Sequence, residues 1–211
     1  MKFGETIEGY PVPVLNEREI RASAGILFVL LSMAVVQILF RQDFLLVKYV
    51  IVIFLTDFII RIFVSPGFSP TLIIGRLIVS KQAPEYVGAA QKKFAWKIGL
   101  VLSGLMFLLL IILNSYSIIT GISCLACLIF LFFESAFGIC LGCVFYGWFY
   151  KDEQLYCAGA SCEPLKKQDI QKVSWAQVAI VIGFLASILL AIVLLNDHFS
   201  VAPRNLKEII Q

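Results

Sequence analysis

ASAGILFVLLSMAVVQILF, residues 22–40, contains no charged side chain. At a rise of about 1.5 Å per residue, a helix over this stretch covers the roughly 30 Å hydrocarbon core of a bilayer. A second charge-free run occupies 175–196, near the other end of the chain. Three more apolar runs lie between them. Residues 44–64 contain Lys48, Asp57 and Arg61, residues 94–113 contain Lys97 near the start, and residues 117–150 contain Glu134. Bilayer interiors offer no water to backbone amides, so such runs must be helices. Period-two alternation is absent, which excludes a membrane β-barrel. The composition agrees: 60% of the 211 residues are hydrophobic and 15% are charged, against about a quarter charged in soluble domains.

This reading predicts an all-α, polytopic membrane helix bundle with five spans. The run 117–150 is too long for one span, at about 50 Å as a continuous helix. With neither a proline nor a polar cluster to turn the chain, a single span over 122–147 is expected, with Thr120-Gly121 as a break near its start. The chain then divides into an N-terminal segment (1–21), a four-helix core (22–150), a loop (151–174), a fifth transmembrane helix (175–196) and a tail (197–211). The first run follows about twenty polar residues, so it does not read as a cleaved signal peptide.

Basic residues near span ends set orientation. Lys2, Arg18, Arg21, Arg76, Lys81, Lys92, Lys93, Lys151, Lys166, Lys167 and Lys172 fall on one side of the five-span arrangement, and only Arg41, Arg204 and Lys207 on the other. Eleven against three predicts a cytoplasmic N-terminus and an extracytoplasmic C-terminus in a cell membrane. The net charge of +3 is accounted for by these anchors, so no nucleic-acid partner is expected.

The connecting segments carry their own signals. Asn16 reads as a helix cap, with Glu17 and Glu19 in the first turn and Arg18 and Arg21 on one face. Asn16, Glu17, Arg18, Arg21, Lys92 and Lys93 are expected at the membrane interface. Ser65-Pro-Gly-Phe-Ser-Pro70 is expected to be a stiff, non-helical turn. The apolar piece 72–80 after it is too short to span, and suits a surface or re-entrant helix.

Three constellations bear on function. Asp57 and Arg61 are four apart and can pair on one helix face, either as an internal ion pair or on a polar pathway. Glu134 has no partner within its own helix and could reach Lys48, Lys97 or Arg61 on neighbouring helices. The third is Cys140-Leu-Gly-Cys143, with its two thiols one helical turn apart. Such a pair can cycle through a disulfide, relay sulfur or bind a soft metal, whereas a stripe of small residues here can also simply pack helices. On a straight helix Glu134 points more than about 100° away from both thiols, which makes it a poor direct base for them. Cys124-Leu-Ala-Cys127 has the same spacing in an apolar setting and reads as packing. Cys157 and Cys162 are accessory thiols in the loop. Neither a metal site nor a cofactor is expected, and His198 has no neighbour in sequence that suggests a role. The chain carries no hydrolase, transferase or nucleotide-binding motif.

Together, Val14-Leu-Asn-Glu-Arg-Glu-Ile-Arg-Ala-Ser-Ala-Gly25, Asp57-Phe-Ile-Ile-Arg61, Ser65-Pro-Gly-Phe-Ser-Pro70, Lys92-Lys-Phe-Ala95 and Phe133-Glu-Ser-Ala-Phe-Gly-Ile-Cys-Leu-Gly-Cys-Val-Phe-Tyr146 resemble a bacterial integral-membrane family termed domain of unknown function 4395. The resemblance covers about residues 12–150 and departs at Gly67, where the pattern leads one to expect a basic residue. It implies a four-helix membrane core, with the fifth span as an addition. It also implies a cytosolic thioredoxin-like or sulfurtransferase partner for Cys140 and Cys143. The functional expectation is thiol-redox or sulfur handling. The alternatives are a small transporter component using Asp57, Arg61 and Glu134, or a membrane scaffold without chemistry.

Overall fold

Asn16 starts the first helix as its sequence suggests. Its side chain accepts the Arg18 N–H at 3.2 Å, and α1 runs Glu17–Arg41. The helix ends at Gln42, which adopts a left-handed conformation and returns its N–H to the Ile38 carbonyl. This architecture comes from a computed structural model that describes residues 3–7, 10, 12–149, 173–202 and 204–205. α2 spans Leu45–Ile59 and continues as a π-helix over Ile60–Val64. α4, Ala89–Phe107, passes into a π-helix at Leu108–Ile112. α5, Ile118–Phe132, does the same at Phe133–Phe137. α7 covers Trp175–Ser200.

Among the described residues, four helices are long and apolar enough to cross a membrane: α1, α4 and α5 with their continuations, and α7. The chain is an all-α, multi-pass membrane protein. α2 with its continuation carries Lys48, Asp57 and Arg61, and all three side chains are buried in the protein.

The Ser-Pro stretch is more ordered than a plain turn. Ser65 accepts the Gly67 N–H and Pro66–Phe68 forms a 3-10 turn. Ser69 then caps α3, Pro70–Ile78, by accepting the Leu72 N–H. Each serine is a cap and each proline a first helical residue, where its missing N–H costs nothing. The short helix therefore begins two residues before the expected 72–80. Before α4, β2 (Tyr86–Gly88) pairs antiparallel with β1 (Val14–Asn16), with Val14 opposite Gly88 and Asn16 opposite Tyr86. This ribbon ties the N-terminal segment to the start of α4, which begins at Ala89, five residues before the expected span.

The fourth run departs most from expectation. Its helix does not continue over 122–147. Gly138 takes φ +66°, and the separate helix α6 follows at Leu141–Phe149. An ideal Cβ on Gly138 would also overlap the Arg21 guanidinium, so conformation and space both require glycine there.

The core is apolar and central. Leu27, Leu31 and Ala34 of α1 meet Val47, Val50 and Phe54 of α2 and Trp96 and Met106 of α4. Helix α7 lies against α3 and α2, and of its residues only Gln177 and Phe199 are buried. Near its start, Gln177 donates to the Gly67 carbonyl at 2.8 Å. At its end, Lys48 Nζ donates to the carbonyls of Phe199 (3.3 Å) and Val201 (2.8 Å), and to Asn114 Oδ1 at 2.8 Å. Four residues past the end of α7, β4 (Arg204–Asn205) pairs in parallel with β3 (Ser115–Tyr116).

Candidate functional site

Asp57 of α2 and Arg61 of its π-helical continuation pair at 2.7 Å, as the spacing predicts. α1 and α3 add the rest of the arrangement. Arg61 donates to Ser69 Oγ at 3.2 Å, and to Ser23 Oγ and Thr71 Oγ1 at 2.6 Å each. Ser69 and Thr71 hydroxyls donate to the two Asp57 oxygens at 2.7 and 2.8 Å. The guanidinium also lies over the rings of Trp96 (5.0 Å) and Phe58 (5.3 Å). Buried charges are tolerated when paired and hydrogen-bonded in this way. Sequence reasoning had identified the ion pair but not Ser23, Ser69 or Thr71.

Glu134 meets none of the three expected cations. Its partner is Lys92, at 2.5 Å, and Lys92 also lies 2.7 Å from Glu17 Oε2. Glu17 and Lys92 are 0% and 1% exposed. With Asn16, they turn inward and do not face lipid headgroups. Neither Glu17 carboxylate oxygen has a hydrogen-bond partner among the described residues, and its contact with Lys92 is an ion pair. The signal for Lys92 was its helical phase: Trp96, Ser103 and Met106 continue its buried stripe down α4. Arg18, Arg21 and Lys93 stay nearer the surface. Arg18 and Arg21 reach Glu85 at 2.6 and 3.7 Å, and Lys93 sits 4.6 Å over the Phe3 ring. Close by, Arg76 pairs with Glu19 at 3.1 Å and approaches Glu5 at 3.9 Å. Burial pushes the Glu5 carboxyl above its ordinary value, and Arg76 offsets part of that rise.

Cys140 and Cys143 are not mid-helix. Cys140 immediately precedes α6, and its carbonyl accepts the N–H groups of Cys143 and Val144 at 2.9 and 3.1 Å. It is therefore the N-cap residue. Its sulfur accepts the Cys143 N–H at 3.2 Å. The two sulfurs are in disulfide contact and the Cα atoms are 5.1 Å apart, within the range a disulfide spans. Cys140 is buried and Cys143 is partly exposed. Gly142, between them, packs so closely on α4 that a Cβ there would stand 2.5 Å from the Ala95 Cβ. Cys124 and Cys127 are free. Cys157 and Cys162, with the basic residues of their loop, lie outside the described residues. No group of three or more metal-ligating side chains occurs among the described residues.

A cavity of about 70 Å³ lies between α1, α2, α4 and α5. Its walls are apolar and aromatic, with Phe54, Phe58 and Trp96 among them, and its charged residues are Arg61 and Glu134. Gly142 of the cysteine turn and Cys127 also line it. The bundle thus brings Gly142 of the cysteine turn, Glu134 and Arg61 around one space.

A family model described as a domain of unknown function (DUF4395) matches residues 15–151. No curated protein and no solved structure matches the chain.

Proposed function

The chain belongs to the DUF4395 family, and from that premise we propose that it is a membrane thiol–disulfide protein whose working pair is Cys140 and Cys143. The observation that carries this reading is the placement of the pair across the start of α6, with the sulfurs in disulfide contact. Helix N-termini present N–H groups and the positive end of the dipole, a setting that favours thiolate. In the exchange, a partner thiolate attacks the sulfur of Cys143, the more exposed residue. Cys140 leaves as thiolate at the helix start, where the Cys143 N–H already meets its sulfur. Resolution by a second partner thiol returns the dithiol, with two electrons and two protons transferred in all. A sulfur relay starts instead from the reduced pair: the thiolate of one cysteine attacks the outer sulfur of a partner persulfide, takes that sulfur and releases the partner thiol.

The basic-residue asymmetry supports a cytoplasmic N-terminus, with the cysteine turn on that same side and a thioredoxin-like or sulfurtransferase partner in the cytosol. The transporter alternative draws less support from the Asp57–Arg61 pair, because the surrounding hydroxyls already bond both residues. That arrangement suits a lock between α1, α2 and α3.

Trapping tests the assignment. With Cys140→Ser, the Cys143 thiol attacks the disulfide of an oxidised partner, and the mixed disulfide should accumulate and be cleaved by reductant. With Cys143→Ser, trapping should fall at least tenfold. Equal trapping by both variants, or by neither, would reject the pair as the working site.

A further inference from the structure

We propose that Glu17, Lys92 and Glu134 form a buried proton-binding site, in which the two carboxyls share one exchangeable proton across the lysine. The inference is independent of the thiol reading above. Three elements build the site. Glu17 opens α1, Lys92 lies in the first turn of α4, and Glu134 sits in the π-helical continuation of α5. Lys92 Nζ is 2.7 Å from Glu17 Oε2 and 2.5 Å from Glu134 Oε1.

Charge and burial together call for the proton. Two carboxylates around one ammonium leave one negative charge uncompensated, and Glu17 and Lys92 are buried away from water. Glu17 stands at a helix start, where backbone N–H groups can hold a carboxylate. Yet neither of its oxygens accepts a hydrogen bond among the described residues. A carboxylate without donors is costly to bury, and a neutral carboxyl much less so. Two neighbouring carboxylates also resist ionising together. The charged groups acting on Glu17 are Lys92 of α4, Glu134 of the α5 continuation and Arg21 of its own helix. Arg21 is partly exposed and turned toward Glu85 at 3.7 Å. Arg61, which lines the same cavity as Glu134, is matched by Asp57. Neither arginine cancels the excess charge.

Glu134 is the entrance. Its side chain keeps 15% exposure, and it lines the cavity between α1, α2, α4 and α5, which Glu17 and Lys92 do not. A space of about 70 Å³ has room for water, which carries protons to and from the Glu134 carboxyl. The onward step balances. Lys92 gives one proton to Glu17 Oε2 and takes the Glu134 proton in its place. One O–H bond breaks at Glu134, one forms at Glu17, and the lysine stays an ammonium. Proton binding is thereby coupled to the ion pairs through which α1, α4 and the end of α5 meet.

Infrared difference spectroscopy tests the site through the C=O stretch of a protonated carboxyl. Spectra of the full-length protein in phosphatidylcholine nanodiscs are compared between mildly acidic and alkaline buffer, where surface carboxyls stay ionised. One carboxyl band should disappear toward alkali, and it should shift in heavy water. Glu17→Gln should remove the band. Glu134→Gln should remove it too, because Lys92 then neutralises the one remaining carboxylate. Lys92→Met leaves two facing carboxylates without a cation, so the band should persist at least about one pH unit higher. Circular dichroism and elution volume check the fold. If either glutamine variant does not fold, the other decides together with Lys92→Met. A wild type without a titrating carboxyl band overturns the site. So does a band that survives both glutamine replacements, or one that titrates unchanged in Lys92→Met. A band removed by only one glutamine replacement is a single acid, which overturns the shared proton.

Discussion

Cys124-Leu-Ala-Cys127 and Cys140-Leu-Gly-Cys143 share one spacing and one fourth apolar run, yet the fold treats them differently. The first pair sits inside the continuous helix α5, and both of its cysteines are free. The second straddles the start of a new helix, and its sulfurs touch. Spacing alone therefore says little about thiol pairing. What distinguishes the two is the left-handed residue at Gly138, which ends one helix and lets Cys140 cap the next.

The comparison can be broken at its cause. Gly138→Val places a branched side chain at φ +66° and against Arg21. Left-handed backbone alone costs about 1–2 kcal/mol for such residues, and the overlap adds to it. A loss of at least ~2 kcal/mol in thermal stability is expected. The Cys140–Cys143 disulfide should drop from most of the population to a minor fraction on non-reducing alkylation, so that the second pair behaves like the first. An unchanged disulfide yield would show that the break does not cause the pairing.

Gly142→Ala tests the same turn from the α4 side. The added methyl would stand 2.5 Å from the Ala95 Cβ, and overpacking of this kind costs about 1–3 kcal/mol. Its melting temperature should fall while the disulfide persists, since the backbone of the turn allows alanine. Cys127→Ala sharpens the contrast from the other side. It removes one small, partly buried group, with an expected cost of about 1 kcal/mol or less, and trapping through Cys143 should be unaffected.

The smallest effect is at Glu5, outside the thiol region. Its carboxyl is raised by burial, so the folded state holds that proton more tightly than the unfolded chain does. The linked stability is therefore greatest at low pH and declines as pH rises past the ordinary carboxylate value. Glu5→Gln should match wild type in acid and be equal or slightly more stable at neutral pH, read from melting curves across that range.

Some of this was legible in the residues and some was not. Charge-free runs such as 22–40 leave a chain little choice but a membrane helix. The Asp57–Arg61 spacing announces its own ion pair because both partners sit on one helix turn. The break at Gly138 was hidden because glycine is common in membrane helices, and its reason here is an arginine more than one hundred residues earlier in the chain. Lys92 was read as a surface anchor because it adjoins Lys93 in a basic segment. Its burial depends on Glu17 and Glu134 arriving from two other helices, and no local pattern encodes such a meeting. The short helix after the Ser-Pro steps was expected, but its start was not, because each serine doubles as a cap.

The fastening of α7 has a consequence for inheritance. Lys48 lies within the segment that the family shares, whereas the carbonyls that hold its ammonium belong to the last turn of α7 and the residue after it, beyond position 151. Without that helix, Asn114 would be left to satisfy a buried cation alone. Relatives lacking the extra span should therefore carry an uncharged residue at this position or supply another acceptor. Across the family, the lysine and the added helix should be gained and lost together.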